Sequence, residues 1–212
     1  MRGDSELEVL SRTAAAFPPR TVRDRVLPNL LFFTDPARIA APETVAERLP
    51  RGAGIVFRAF AAEDAVEQGR RLRAIADARG LWLLAGAHPG LAEGIRADGL
   101  HMPERLAGEI PKLRAEHGRY LITVAAHDLA AVQAAERAGA DAVIVSPVFP
   151  SNSPSAGRPL GVEGLKEMVD ATSLPIYALG GVRADTVGRL AGSGIVGIAA
   201  VEALAGRAEL RT

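Results

Sequence analysis

The sequence predicts an α/β fold, a single (β/α)8 TIM barrel, and three observations carry that expectation. Eight short apolar or β-branched runs recur along the 212 residues. Helix-length patterns separate most of them, the alternation expected of parallel strands joined by crossover helices. A glycine pair, Gly180 and Gly181, follows the seventh run, at the end of the barrel where such folds build their sites.

In chain order the strand runs are residues 29–34, 54–58, 81–85, 98–101, 120–124, 141–145, 175–178 and 195–199, the fourth being the shortest. Between them, residues 63–79 place Ala65, Leu72, Ile75 and Ala76 at helical spacing, and residues 128–138 open on the cap residue Asp128 and carry Leu129, Val132 and Ala135. The same pattern covers 104–117, 161–171 and 184–191. An open doubly wound sheet is the rival, but the first strand is not followed by the glycine-rich turn that binds dinucleotides. Residues 1–27, with Phe17, Pro18, Pro19 and several arginines, read as a lead-in that packs across the barrel floor or a partner subunit. Residues 28–212 read as the barrel domain.

Composition narrows the function classes. Hydrophobic residues are 48% of the chain and aromatics 4%, which suits a core layered with aliphatic side chains. Twenty-five basic and twenty-five acidic residues cancel, so no overall field draws the protein to nucleic acid or to a membrane surface. Cysteine is absent, which excludes disulfides, thiolate metal sites and cysteine nucleophiles. No apolar run approaches the length of a membrane span, and residues 1–8 lack the apolar stretch of a signal peptide. The expectation is a cytoplasmic protein.

The chemistry belongs just past each strand. Gly180 and Gly181 can turn backbone N–H groups toward a phosphate, with a helix expected to begin near Arg183; a plain tight turn is the alternative. The polar run from Ser146 to Arg158 reads as a lid in which Ser151, Ser153 and Arg158 meet phosphate oxygens, or equally as a solvated surface loop. His127, just beyond strand five, is the leading acid-base candidate. His101 ends strand four and reads first as a core histidine bonded to backbone, while His88 is a loop residue and His117 ends a helix on the far side. Arg58 closes an apolar strand, so it either binds an anion or pairs internally with Asp35 or Glu202. No spacing suggests a metal site.

At these positions the chain resembles the thiamin phosphate synthase and TenI-like thiazole tautomerase superfamily. The resemblance rests on an ordered set of segments: residues 31–35 (LFFTD), 57–58 (FR), 97–101 (ADGLH), 138–141 (AGAD), 146–150 (SPVFP) and 178–182 (ALGGV). It implies a barrel that binds a small phosphorylated thiazole-type metabolite and forms a homodimer. The ligand positions are Arg58, Ser146, Ser151, Ser153, Arg158, Gly180, Gly181, Ala200 and Val201, with His101 and Glu202 at the mouth.

The synthase branch joins a pyrimidine pyrophosphate to a thiazole phosphate with Mg2+ held by acids. Here Ala85 and Gly86 stand where that branch has Asn-Asp, and Met102-Pro103-Glu104-Arg105 follows His101. The glutamine and lysine that flank that branch's strand-two arginine are missing, with Ile55, Val56 and Phe60 in their neighbourhood, and Ser151-Asn152-Ser153-Pro154 lacks the lysine of the pyrophosphate clamp. The tautomerase branch needs acid-base groups and no metal, and its characteristic histidine falls at His127. The resemblance therefore implies a metal-independent thiazole phosphate tautomerase without cofactor. The alternatives are a divergent, Mg2+-dependent synthase and a catalytically silent barrel that binds a metabolite or a partner protein. After strand eight, Ala200-Val201-Glu202 puts a carboxylate where the family offers serine, and repulsion there would weaken anion binding.

Overall fold

A computed structural model describes residues 5–60, 62–151, 157–206 and 209–211. Eight parallel strands close a barrel in strict chain order: β1 (Leu30–Phe33), β2 (Gly54–Phe57), β3 (Trp82–Gly86), β4 (Gly99–Met102), β5 (Leu121–Ala126), β6 (Ala142–Val145), β7 (Ile176–Ala178) and β8 (Gly197–Ala200). Closure comes from β8, which pairs with β7 on one side and with β1 on the other, Ile198 opposite Leu30 and Ala200 opposite Phe32. Every expected run is a strand, including the short fourth one.

The strands are buried on both faces, and their two-residue alternation sorts the side chains into two cores. Leu31, Phe33, Val56, Leu84, Ile144, Tyr177 and Ala199 pack together inside the barrel. Leu30, Phe32, Ile55, Phe57, Leu83, Val143 and Ile198 join the outer core beneath the helices. The Tyr177 hydroxyl, buried near the floor, donates to the Pro28 carbonyl at 2.7 Å.

Around the strands lie α1 (Glu6–Ala15), α2 (Pro42–Ala46), α3 (Ala65–Arg79), α4 (Pro89–Gly94), α5 (Ile110–Glu116), α6 (Leu129–Ala138) and α7 (Gly161–Asp170). Asp128 caps α6 by accepting the Ala131 N–H at 2.8 Å, and Gly139 ends it in the left-handed region. The expected helix 104–117 divides into a 3-10 segment, Glu104–Glu109, and α5, which begins with a proline in its first turn. Two short helices, α2 and α4, also start at prolines; at one to two turns they are too brief to show a periodic apolar face. Among the described residues no helix is long and apolar enough to cross a membrane.

The lead-in does two jobs. Its helix α1 buries Leu10 and Ala14 and packs against β1 and the 3-10 turn Glu202–Leu204 that follows β8. It thereby covers the flank at the closing seam rather than the floor. The following residues form a two-stranded ribbon, Thr21–Val22 with Arg25–Val26, and this does cover the floor. Arg23 Nε reaches Asp141 at 2.7 Å, and the Arg25 guanidinium lies 5.1 Å from the Trp82 ring centre.

Two aspartates stitch the floor by one geometry. Asp98 gives its N–H to the Leu83 carbonyl and accepts the Leu83 N–H on its carboxylate, at 2.7 and 2.8 Å. Asp141 does the same to Ile122, at 2.8 Å in both directions. An arginine from the helix that leads into the clamped strand completes each clamp, Arg73 of α3 at 2.9 Å and Arg114 of α5 at 2.6 Å. These aspartates belong to the ADG and GAD segments of the sequence, whose role is therefore to fix strand register.

Candidate functional site

The C-terminal ends of the strands surround a cavity of about 770 Å3. Period two selects its floor: Phe33, Gly86, His101, Ala125, Leu179, Ala199 and Val201 turn inward at the strand ends and line it. Of the ligand positions read from the sequence, Arg58, Ser146, Ser151, Gly180, Gly181, Ala200 and Val201 all line this cavity, together with His101, His127 and Glu202. Arg158 is exposed and does not line it. Ser153 lies outside the described residues.

Gly180 and Gly181 adopt φ of 88° and 65°. A Cβ on Gly180 would sit 2.7 Å from Pro147 Cα, and one on Gly181 would strike the Pro150 carbonyl, so only glycine fits. The close approach is a zipper, with the Val148 and Phe149 N–H groups donating to the Leu179 and Gly180 carbonyls, each at 2.9 Å. The first part of the expected lid is thus tied down, with Val148 and Phe149 buried. Among the described residues the N–H groups of Gly180, Gly181 and Val182 take no hydrogen-bond partner.

The helix expected near Arg183 is absent. The Thr186 hydroxyl donates to the Gly181 carbonyl and accepts the Arg183 N–H, Ala184 N–H is taken by Glu6, and only a 3-10 turn, Val187–Leu190, follows. Side-chain hydrogen bonds satisfy what a helix start would otherwise have left open. The free donors are three consecutive loop amides, two of them on the expected glycines, and not the start of a helix.

Arginines dominate the electrostatics. Arg58 donates from Nε to the Thr34 carbonyl at 2.7 Å and approaches Asp35 at 3.4 Å, so it is paired internally with the first of its two expected partners. Burial lowers its pKa to about 10, against the opposing pull of Asp35; it is cationic at neutral pH. Arg38 holds the same Asp35 at 2.8 Å and reaches Glu202 at 3.9 Å. Glu202 is 45% exposed, lines the cavity and reaches Arg38, not Arg58 or Arg183. Arg105 also lines the cavity and has no carboxylate partner among the described residues.

Sequence reasoning missed Arg38 and Arg105. Their signals are slight, a three-residue spacing from Asp35 and a place two residues past Pro103. Arg38 reaches the mouth because the chain end straps its loop. Arg211 N–H donates to the Arg38 carbonyl and Ala40 N–H to the Glu209 carbonyl, both at 2.8 Å.

The two mouth histidines differ. His101 is buried, 3.0 Å through Nδ1 from the Thr123 hydroxyl and edge-on to Phe33; its partner is a side chain rather than the backbone. Burial, then the nearby Arg58 charge, lowers its pKa to about 3, so it stays neutral. His127 is exposed. Its Nδ1 lies 2.6 Å from the Ser146 carbonyl, which can only accept, so Nδ1 carries the proton and Nε2 the lone pair. Its backbone N–H is held by Glu104 at 3.2 Å. His88 lines the cavity too, whereas His117 stacks on Tyr120 away from it.

Among the described residues no three or more histidine or acidic side chains converge as metal donors. Asp35 is taken by two arginines and Glu104 by a backbone amide, and the β3 end offers Ala85 and Gly86. This donor set does not fit a divalent cation held by carboxylates.

The family model described as thiamine monophosphate synthase matches residues 30–204. The chain is similar to a putative thiamine-phosphate synthase 2 of Aquifex aeolicus, 27% identical over 182 residues, covering 82% of this chain and 96% of that one. It is also similar to the thiamine-phosphate synthase of Pyrococcus furiosus, 27% identical over 187 residues, covering 86% and 89%. Among solved structures, a thiamine phosphate pyrophosphorylase from Pyrococcus furiosus superposes with a TM-score of 0.70 at 23% identity, over 82% of this chain and 85% of that one. FabK from Thermotoga maritima superposes at 0.67 and 12% identity, over 87% of this chain and 61% of that one, which is likeness of fold alone.

Proposed function

Because the chain belongs to the thiamine monophosphate synthase family, we propose that its mouth binds a small phosphorylated thiazole-type metabolite and moves a proton within the ring, as a TenI-like tautomerase does. The observation that carries this reading is the 2.6 Å contact between His127 Nδ1 and the Ser146 carbonyl. That contact fixes the tautomer and leaves Nε2 as the base beside the cavity. Nε2 takes a proton from one ring position and returns it to another, so the reaction is an isomerisation with no leaving group and needs no metal. The Ser146 carbonyl stabilises the imidazolium formed in between.

The phosphate sits on the free amides of Gly180, Gly181 and Val182, in the field of Arg38 and Arg58, with Ser146, Ser151 and Val201 around the ligand. His101, neutral and buried, supplies a polar wall rather than a proton. The test is direct: thiazole carboxylate phosphate tautomers are mixed with the protein and followed by NMR. Acceleration that His127→Gln abolishes is expected, and full activity in that variant sinks the reading.

A second reading, a thiamine-phosphate synthase, is favoured by the names of the relatives that cover most of the chain. It requires thiamine phosphate to form from pyrimidine pyrophosphate and thiazole phosphate with Mg2+, and to stop on chelation. Ligand-induced stabilisation without turnover of either kind would leave the third reading, a silent binding barrel. The homodimer belongs to the same proposal, and sedimentation analysis checks it.

A further inference from the structure

Phe60 is the feature that neither the phosphate nor the proton transfer explains. It is 62% exposed, and it lines the cavity, which the other large exposed hydrophobics, Val26, Val66 and Leu129, do not. Its φ is +46°, a left-handed conformation that bulky residues avoid and that persists where surrounding structure imposes it, often at ligand clamps. The Arg58 guanidinium lies 5.3 Å from its ring centre and 5.4 Å from that of Phe33, so one cation is held against two aromatic rings.

The next strand end continues the pattern. Gly86 has no side chain, and a Cβ there would press on Arg58 Cγ at 3.3 Å and the Phe57 carbonyl at 3.2 Å. Of the five described non-glycine residues at positive φ, Ala87, at +59°, is the other one that lines the cavity. The β2–β3 side of the mouth therefore joins an exposed aromatic ring to small, side-chain-poor neighbours. The opposite side carries the free amides.

From this we infer that the β2–β3 side is a subsite for a planar aromatic ring, with Phe60 as the stacking surface, and that it selects ring-bearing phosphate esters over aliphatic ones. The inference rests on the phosphate reading above for the other end of the ligand. Stacking on an exposed aromatic face adds roughly 3- to 10-fold in affinity over an alicyclic ring of similar size.

Calorimetric titration with inorganic phosphate, phenyl phosphate and cyclohexyl phosphate tests it, on wild type, Phe60→Leu and Phe60→Ala. The expected result is tighter binding of phenyl than of cyclohexyl phosphate by wild type, lost in both variants while inorganic phosphate binds all three proteins alike. A phenyl preference that survives in both variants, or no preference in wild type, overturns the subsite and leaves the phosphate cradle standing. If none of the three probes binds wild type, the cradle itself fails and the subsite falls with it. Sedimentation of the same proteins covers the remaining occupant: self-association lost in Phe60→Ala, without ring preference, assigns Phe60 to a protein contact and overturns the inference.

Discussion

The two ends of the barrel use the same residue types, aspartate and arginine, to opposite effect. At the floor the aspartates are tied down: Asp141, 3% exposed, takes two arginines and a backbone amide, and Asp98, 29% exposed, takes one arginine and a backbone amide on the neighbouring strand pair. At the mouth a single aspartate, Asp35, is shared by Arg38 and Arg58, a half-exposed Glu202 leans on Arg38, and three amides are left free. Charges at the floor are spent on register. Those at the mouth are incompletely matched, which is what a site for an anionic ligand requires.

The sharpest way to break this contrast is to open a floor clamp. Asp141→Ala removes one carboxylate from three donors and leaves the partly buried Arg114 only backbone carbonyls as partners; the expected loss is about 3 kcal/mol in urea unfolding. Below the unfolding transition phosphate binding should be unchanged, and a parallel loss of binding would show that the two ends are coupled. At the mouth, His127→Gln is expected to lower tautomerase turnover by about 10²–10⁴-fold. Being exposed, the same change should alter stability within about 0.5 kcal/mol.

Arg38 gives a subtler test. Arg38→Ala unpairs Glu202 beside the cradle, and phosphate should bind roughly tenfold more weakly. Adding Glu202→Gln should restore most of the affinity, and a double variant as weak as Arg38→Ala would mean that Arg38 acts by contact rather than by neutralising Glu202.

A separate effect concerns pH. His101 titrates near 3 when folded against 6.5 as an unperturbed group, so the unfolded chain binds the extra proton between those values. Its contribution to stability is complete above about pH 6.5 and is lost as pH falls toward 3. Replacing His101 with Gln should flatten that part of the stability profile, and an unchanged slope would mean that other groups set it.

The strands were legible because burial on both faces writes itself as apolar runs, and crossover helices of sufficient length write a 3.6-residue period. The helices α2 and α4 carried no such period, and α1 lay in a segment whose prolines and arginines read as a lead-in. Many of the residues facing the cavity were legible as well, since the fold class alone says that strand ends line the mouth, but Arg38 and Arg105 were not. What each does there was not. The Arg38 loop makes a strand-like contact with residues 209–211, far along the chain, and Arg38 there reaches Glu202 at 3.9 Å.

By itself, then, the sequence determined the barrel, the order of its strands, the glycine turn and the histidine at its rim, all of which follow from local pattern and spacing. Only the tertiary structure decided which aspartates are structural, which arginine approaches Glu202 and which tautomer His127 holds. Those outcomes depend on partners distant in the chain, and pairing between such groups leaves no periodicity to read.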